Sequence, residues 1–311
     1  MTRQIESIGV VGAGLMGAGI AEVAIASGVP TTLVKATAGD AQSAFDKVAR
    51  ALDRRVDKKS MAAEARDEAL RLLRVSSDRD ALVGADLVIE SIVEDLGEKR
   101  ALLRDLGQRL GERPVLASNT STLRLRDLAA PSYAGRLVGM HFFSPVPVMS
   151  LVELSTMDDT RADVGAACRG LIERMGKTAV PVVDSAGFVV NRLLVPYLIG
   201  AVAAYEQRLA SAADIDTAMK LGCNHPIGPL ALCDLIGLDI VLAMSKLLYR
   251  EFGSDRFRPP SILRRMVHDG MLGRKAKRGF YDYSVSPVIE NRALLALVDP
   301  HAEDAELESA A

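Results

Sequence analysis

A glycine-rich turn close to the start of the chain constrains the fold more than any other stretch. A β-branched run at residues 8–11 leads into three glycines spaced as Gly-x-Gly-x-x-Gly, and an alanine-rich helical pattern follows to Ala26. In this context the first glycine permits a tight turn, the second lets backbone approach a pyrophosphate, and the third lets helix and strand pack closely. The phosphates would then face unpaired N–H groups at the positive end of a helix. The turn therefore predicts a dinucleotide-binding site made by Gly12, Gly14, Leu15, Met16 and Gly17.

Composition and charge narrow the functional classes. The chain has 311 residues, of which 49% are hydrophobic, and this is enough for a large core and two domains. A net charge of −2 gives no general attraction to nucleic acids or anionic membranes, so we expect neither as a partner. The three cysteines lack Cys-x-x-Cys spacing and the four histidines are scattered. This pattern predicts free thiols in a cytoplasmic protein and no metal site.

Neither a signal peptide nor a membrane span is expected. The first four residues run directly into the first predicted strand, which leaves no room for a signal peptide. The most apolar stretch, residues 188–204, is interrupted by Asn191, Arg192 and Pro196. Because a bilayer span needs about 20 mainly apolar residues, this stretch predicts a buried helix instead.

Strand-like runs alternate with helical patterns in the first part of the chain, and helical patterns alone follow it. The predicted strands are residues 8–11, 31–34, 87–89, 115–117, 137–140 and 151–154. The predicted C-terminal helices are residues 187–209, 212–222, 228–250 and 261–270. This order predicts an α/β fold, with a Rossmann-type doubly wound parallel sheet and a smaller all-α C-terminal domain. We expect a dinucleotide-binding domain at 1–185, a helical substrate and dimerisation domain at 186–284, and a short helix with a frayed tail at 285–311.

A residue at a predicted strand end and another on the neighbouring strand suit acid–base chemistry. Ligands of open α/β sheets bind outside the carboxyl ends of the strands. His141 follows the fifth predicted strand, and Glu153 lies within the apolar sixth. A neighbouring carboxylate fixes the tautomer of an imidazole and favours its protonated form, so the pair predicts a general base and its orienting partner. The alternative is a packed histidine and a surface glutamate, but a carboxylate among apolar neighbours needs a partner.

Three further polar residues are candidates for the same site. Asn119 and Ser121 follow the fourth predicted strand, where Asn-Thr-Ser-Thr clusters also make turns and helix caps, so both roles stay open. Asn191 lies within the apolar helix predicted at 187–209, where an asparagine is unfavourable and its amide needs hydrogen bonds. We therefore favour a site role for Asn191.

The residues described above carry a family resemblance. The motifs are Val-Gly-Ala-Gly-Leu-Met-Gly (11–17), Ala-Ser-Asn-Thr-Ser (117–121), Gly-Met-His-Phe-Phe-Ser-Pro (139–145), Gly-Phe-Val-Val-Asn-Arg (187–192) and Gly-Arg-Lys-x-x-Arg-Gly-Phe-Tyr (273–281). In these motifs and their order the chain resembles the L-3-hydroxyacyl-CoA dehydrogenase family, in its short 3-hydroxybutyryl-CoA type. The resemblance covers about residues 5–283.

The resemblance implies a role for each matching residue. His141 would be the general base that takes the 3-hydroxyl proton as hydride leaves for the nicotinamide, and Glu153 would orient it. Ser121 and Asn191 would hydrogen-bond the reacting oxygen. The positions that would contact the cofactor are Glu94, Lys99, Asn119 and Lys275. Lys58 would contact the coenzyme A of the substrate, and the helical domain would form a homodimer.

The chain departs from the family pattern at two positions. Ser144 stands where asparagine is usual, a change that some long multifunctional members share. Lys35 stands at the end of the second strand, where an Asp or Glu normally accepts a hydrogen bond from the adenosine ribose 2′-hydroxyl. The nearest acid is Asp40, beyond the strand. A lysine suits a 2′-phosphate instead, so the cofactor is NAD or NADP, with Lys35 favouring NADP.

Three alternative functions stay open at this point. The substrate thioester could be carried by an acyl-carrier protein instead of coenzyme A. A related dehydrogenase acting on a free hydroxy acid, such as L-gulonate, would share much of the fold. A non-catalytic dinucleotide-binding protein would share the glycine turn, but the presence of Ser121, His141, Glu153 and Asn191 argues against it.

Overall fold

The structure is a computed structural model that describes residues 3–37, 39–291 and 294. The chain divides into two compact units between Phe188 and Val189. The predicted short helix and polar end of the chain fall largely on residues 292, 293 and 295–311, which lie outside the described residues. Within the described part of the chain, no helix is long and apolar enough to cross a membrane.

The first unit is built on one eight-stranded sheet. Its strands are β1 (Ile8–Val11), β2 (Thr31–Val34), β3 (Leu73–Ser76), β4 (Leu87–Glu90), β5 (Val115–Ser118), β6 (Leu137–Phe142), β7 (Leu151–Thr156) and β8 (Thr178–Val183). They lie in the order β3-β2-β1-β4-β5-β6-β7-β8. Every neighbouring pair is parallel except β6 and β7, which run antiparallel because a loop and not a helix joins them. The predicted doubly wound fold class is confirmed, with this one reversal.

Helices cover both faces of the sheet. They are α1 (Leu15–Ala26), α2 (Gln42–Asp57), α3 (Ala63–Arg71), α4 (Leu96–Arg109), α5 (Leu125–Leu128) and α6 (Ala162–Arg174). Successive strand residues point to opposite faces, and β1 shows the result. Val10 packs in a core cluster with side chains of α1, α2 and α6, whereas Val11 packs in a second cluster with side chains of α4 and α5. This two-sided burial explains why the predicted strands read as nearly continuous apolar runs.

The second unit is mainly helical. It contains α7 (Val190–Glu206), α8 (Ala212–Gly222), α9 (Pro229–Ile236), α10 (Leu238–Phe252), α11 (Ser261–His268) and a hairpin of β9 (Tyr281–Asp282) and β10 (Ile289–Glu290). The prediction of one helix over 228–250 is wrong. Gly237 separates α9 from α10 with a φ of 106°, a backbone conformation that glycine adopts without steric penalty.

Candidate active site

The antiparallel pairing of β6 and β7 sets His141 directly opposite Glu153. The imidazole Nδ1 lies 2.8 Å from Glu153 Oε2, and the two residues are only 6% and 1% exposed. An ionised carboxylate can only accept a hydrogen bond, so Nδ1 carries the proton and Nε2 keeps its lone pair. The sequence-based pairing of these two residues is thus reproduced as a direct contact, and Nε2 is the nitrogen suited to act as a base.

Aromatic side chains fix the plane of the imidazole. The ring centroids of His141 and Phe143 are 4.4 Å apart, and those of His141 and Phe188 are 5.7 Å apart. Such apolar contacts limit rotation of the ring and keep water from competing for the hydrogen bond to Glu153. The base is therefore held in one orientation by both its charged partner and its neighbours.

A single carboxylate organises the loop that carries Ser121. Glu94 Oε1 accepts hydrogen bonds from the backbone N–H groups of Ser121 and Thr122, each at 2.9 Å. The hydroxyls of Thr120, Thr122 and Ser121 also donate to Oε1, at 2.7, 2.8 and 3.3 Å. Burial by itself raises the pKa of the Glu94 carboxyl, but the Lys99 ammonium and the threonine hydroxyls outweigh it and hold that pKa below its ordinary value. Glu94 therefore stays ionised and keeps the loop in place.

Beneath this loop lies a buried ion pair. The Lys99 ammonium is 2.9 and 2.8 Å from the two carboxylate oxygens of Glu90 and 3.4 Å from Glu94 Oε2. Lys99 is 1% exposed and Glu90 is fully buried, and the Ser118 hydroxyl also donates to Glu90. The buried carboxylate of Glu90 and the partly exposed one of Glu94 thus share one buried cation, and this pairing makes the buried charges tolerable. A cofactor contact by Lys99 stays a prediction.

Asn119 joins three strand ends. Its amide Nδ2 donates to the Ser91 hydroxyl after β4, at 3.2 Å, and its Oδ1 accepts from the backbone N–H of Phe142 in β6, at 2.9 Å. In the adjacent loop, the Thr120 hydroxyl accepts from the backbone N–H of Leu123 at 2.9 Å. The turn-forming role weighed for this cluster therefore belongs to Thr120, while Ser121 is tied to Glu94.

The glycine turn fits the pyrophosphate of a dinucleotide. Gly12 has a φ of 111°, and a Cβ there would lie 2.3 Å from the Ser91 carbonyl oxygen. A Cβ on Gly17 would lie 1.7 Å from the Gly12 oxygen, so neither position accepts another residue. A Cβ on Gly14 would meet no atom within 4 Å, and no side chain caps the start of α1 there. The open space and the uncapped N–H groups suit a phosphate, while Leu15 and Met16 begin the helix.

The second unit holds two further predicted site residues. Asn191 is buried. It lies in the first turn of α7, since this helix begins at Val190 and not at residue 187 as predicted. The argument from an unfavourable mid-helix asparagine therefore no longer applies, and a site role for Asn191 stays a prediction. Lys275 is exposed and its ammonium pairs with Asp239 at 2.6 Å. Lys58, in the first unit, follows the end of α2 and is exposed.

Asp234 of α9 explains the glycines of the Gly-Arg-Lys-x-x-Arg-Gly-Phe-Tyr segment. Its carboxylate accepts the backbone N–H groups of Phe280 and Tyr281, each at 3.0 Å, and the Tyr283 hydroxyl at 3.1 Å. A Cβ on Gly279 would lie 2.0 Å from Asp234 Oδ1. Burial raises the pKa of the Asp234 carboxyl to about 6. The segment that carries Lys275 is thus held by a buried carboxylate.

Each of the two units is matched by a family model. The model described as "3-hydroxyacyl-CoA dehydrogenase, NAD binding domain" matches residues 7–185, and "3-hydroxyacyl-CoA dehydrogenase, C-terminal domain" matches residues 187–283. The chain belongs to the 3-hydroxyacyl-CoA dehydrogenase family. The resemblance deduced from the five motifs is confirmed, and with it a nicotinamide dinucleotide as the class of cofactor.

Members of the family with close sequences share the architecture of this chain. A 3-hydroxybutyryl-CoA dehydrogenase of Mycobacterium tuberculosis is 39% identical over 286 residues, which are 91% of this chain and 100% of that protein. One from Clostridioides difficile is 40% identical, over 89% of this chain and 99% of its own length. The crystal structure of (S)-3-hydroxybutyryl-CoA dehydrogenase from Ralstonia eutropha is similar with a TM-score of 0.86 and 41% identity, covering 91% of this chain and 100% of that one.

Sequence reasoning did not find the ion pair beneath the loop. Glu90 ends the run Leu87–Glu90, and a carboxylate next to buried apolar strand residues is the same signal that singled out Glu153. Lys99 and Glu94 were selected by family resemblance alone. What the sequence could not reveal is that all three residues meet, since α4 brings Lys99 back across the end of β4.

Proposed function

We propose that this protein interconverts a 3-hydroxyacyl thioester and a 3-oxoacyl thioester by hydride transfer with a nicotinamide cofactor, on short-chain substrates such as 3-hydroxybutyryl-CoA and acetoacetyl-CoA. The observation that carries the proposal is the buried contact of 2.8 Å between His141 and Glu153. Relatives of 39% and 40% identity named 3-hydroxybutyryl-CoA dehydrogenase support the choice of substrate class.

In the oxidation, His141 acts as the general base. Nε2 takes the proton from the 3-hydroxyl group, since Nδ1–H is already donated to Glu153. The Glu153 carboxylate then stabilises the imidazolium that forms. A bound nicotinamide ring supplies the hydride acceptor. In the reverse direction the imidazolium returns its proton to the reacting oxygen.

Ser121 and Asn191 hydrogen-bond the reacting oxygen in this proposal. Partial negative charge develops on that oxygen as the base removes the hydroxyl proton, so donors fixed in advance lower the barrier. Glu94 contributes by holding the Ser121 loop through two backbone N–H groups and the hydroxyls of Thr120 and Thr122. The Ser121 hydroxyl has one proton, so its longer bond of 3.3 Å to Glu94 gives way when it donates to the reacting oxygen. Glu94 is therefore a positioning residue for Ser121.

The remaining assignments concern the ligands and the assembly. The pyrophosphate of the cofactor binds at the glycine turn, and NADP is used at least as well as NAD because Lys35 replaces the usual acid. The further cofactor contacts are Glu94, Lys99, Asn119 and Lys275. Lys58 binds the coenzyme A nucleotide, and the second unit forms a homodimer. The three free cysteines support a cytoplasmic location.

One assay tests the proposed reaction against its alternatives. The purified protein is given acetoacetyl-CoA with NADH and with NADPH, and cofactor oxidation is followed by absorbance. Matched reactions replace the substrate with free acetoacetate, L-gulonate paired with the oxidised cofactor, or an acetoacetyl acyl-carrier protein. We expect turnover with the coenzyme A thioester and its loss in His141→Gln. Faster turnover of a free acid or of the carrier-protein thioester would overturn the substrate assignment, and no turnover of any of them would favour a non-catalytic role.

A further inference from the structure

A cavity of about 300 Å³ opens at the ends of β2 and β3, next to Lys35. Lys35 lines it from the end of β2, Ser77 and Arg79 line it from the end of β3, and Arg109 reaches it from the end of α4. Asp78 also lines the cavity. Three cations and one carboxylate therefore surround the space, which is the lining expected for an anion.

We propose that this cavity binds a phosphate monoester carried on the ribose of an adenosine, namely the 2′-phosphate of NADP. The inference rests on the proposed function, because it takes the glycine turn between β1 and α1 as the pyrophosphate site. In doubly wound sheets the adenosine ribose of such a dinucleotide lies at the end of the second strand. The cavity is at that strand end, and a 2′-phosphate is the part of NADP that NAD lacks.

The nearest acid has another partner. Asp40 Oδ1 accepts the backbone N–H of Gln42 at 2.8 Å, at the start of α2. Asp40 thus serves the turn that begins this helix, in the manner of an Asx-turn. At the strand end itself, the Lys35 ammonium would lie only 2.9 Å from a Cβ placed on Gly39, so it lies over the loop that follows β2. A cation and not a carboxylate therefore stands next to the expected ribose position.

The two arginines are held by carboxylates that do not line the cavity. Arg79 Nη1 donates to Asp105 at 2.8 Å, and Arg109 donates to Asp80 at 2.6 Å and to Asp105 at 3.1 Å. A guanidinium has five N–H donors, and Arg79 uses one of them in this bond, so several stay available to a phosphate. Asp78 adds negative charge, but its Oδ1 already accepts the backbone N–H of Asp80 at 2.9 Å. Arg79 is therefore the arginine best suited to complete a site begun by Lys35.

Binding of small adenosine phosphates tests the inference without any catalysis. Calorimetric titrations use 2′,5′-ADP, 3′,5′-ADP and 5′-AMP at low ionic strength. We expect 2′,5′-ADP to bind about tenfold or more tighter than 5′-AMP, since charge-assisted hydrogen bonds to a phosphate add to the shared adenosine contacts. This advantage should shrink as salt is added. Equal binding of 2′,5′-ADP and 5′-AMP would overturn the proposal, and so would tighter binding of 3′,5′-ADP, which would indicate the phosphate of coenzyme A instead.

Two variants locate the phosphate. Lys35→Asp and Arg79→Gln should each remove most of the preference for 2′,5′-ADP while 5′-AMP binds as before, and the unchanged 5′-AMP affinity reports an intact fold. Arg74→Gln is the matched control, because Arg74 is an exposed arginine of β3 that does not line the cavity. A preference that survives Arg79→Gln, or that Arg74→Gln reduces equally, would refute the assignment of the cavity. Failure of the proposed function is separate, since it would appear as no reduction of acetoacetyl-CoA with either cofactor.

Discussion

Replacing Glu153 with glutamine removes the charge beside His141 while nearly keeping the shape of the side chain. The contact to be changed is 2.8 Å long and lies between residues that are 6% and 1% exposed. Water screens such a pair weakly, so the carboxylate has a large effect on the imidazolium that forms in the oxidation. A hydrogen bond to a charged group contributes about 1.5–3 kcal/mol, which predicts a fall in kcat of about 10- to 150-fold.

The pH dependence of the rate tests the role of Glu153 more specifically than kcat alone. A carboxylate stabilises the protonated imidazole and an amide does not, so the neutral base of Glu153→Gln should persist to lower pH. The acid limb of the pH profile for oxidation of 3-hydroxybutyryl-CoA should therefore move to lower pH while the rate at its plateau falls. Initial rates measured with saturating cofactor over a range of pH give both quantities.

Ser155→Ala is the matched control for a change inside β7. Ser155 is buried opposite Gly139, and within the described part of the chain its hydroxyl has no hydrogen-bond partner. Removing that hydroxyl should leave the pH profile unchanged and the fold at least as stable. A Glu153→Gln enzyme with wild-type kcat and an unmoved acid limb would show that Glu153 is structural, and an equal response to Ser155→Ala would show that β7 is merely sensitive to substitution.

Three further predictions concern His141, Lys58 and Asp234. His141→Gln should lower kcat by about 10²–10⁴-fold with cofactor affinity nearly unchanged, as measured by turnover and by titration of cofactor fluorescence, and retention of a tenth of the activity would contradict its role as base. Lys58→Ala should raise KM for acetoacetyl-CoA with little change in kcat, and it should have no effect on acetoacetyl-pantetheine, which lacks the nucleotide; an equal effect on both substrates would point to a defect in the helix. Burial raises the pKa of the Asp234 carboxyl from 3.8 to about 6, so the folded state binds this proton more tightly than the unfolded state. Its stabilising effect is then full below about pH 4 and is lost as pH rises through 6, by up to about 3 kcal/mol, and Tm measured across this range should vary less in Asp234→Asn than in the wild type.

The alternation of apolar strands and helices made the doubly wound sheet predictable, and the two outermost strands show where this signal ends. β3 has the sequence Leu-Arg-Val-Ser with Leu73 as its one buried residue, and it directly follows a helical pattern. β8 contains Pro181 and is partly exposed throughout, as an edge strand can be. β3 therefore lacks the continuous apolar run that identified the six other strands. In β8 the residues 179–183 are apolar, but the proline among them is a signal against a strand inside a sheet.

The break between α9 and α10 was hidden for a different reason. Apolar residues recur at helical spacing through the whole of residues 228–250, and a single glycine within such a pattern is tolerated in many helices. The φ of 106° at Gly237 is a tertiary result, since the chain turns where the two helices meet. The spacing of apolar residues predicts which faces of the helices are buried, but it does not predict whether one helix axis continues through residues 228–250.

Within the candidate site, the contact between His141 and Glu153 could be predicted from the sequence, and the contacts of the Ser121 loop could not. His141 and Glu153 were recognisable because a carboxylate in an apolar strand requires a partner, and the sheet register then joined them. The same requirement, applied to Glu90 at the end of β4, leads to Lys99 and from there to Glu94, whose carboxylate holds the Ser121 loop. Each buried charge in this series is acceptable only because the next one neutralises or bonds it. The geometry of the Ser121 loop therefore depends on three charged residues, Glu90, Lys99 and Glu94, that no single motif contains. Their contacts could be recognised only in the structure, where α4 lies against β4.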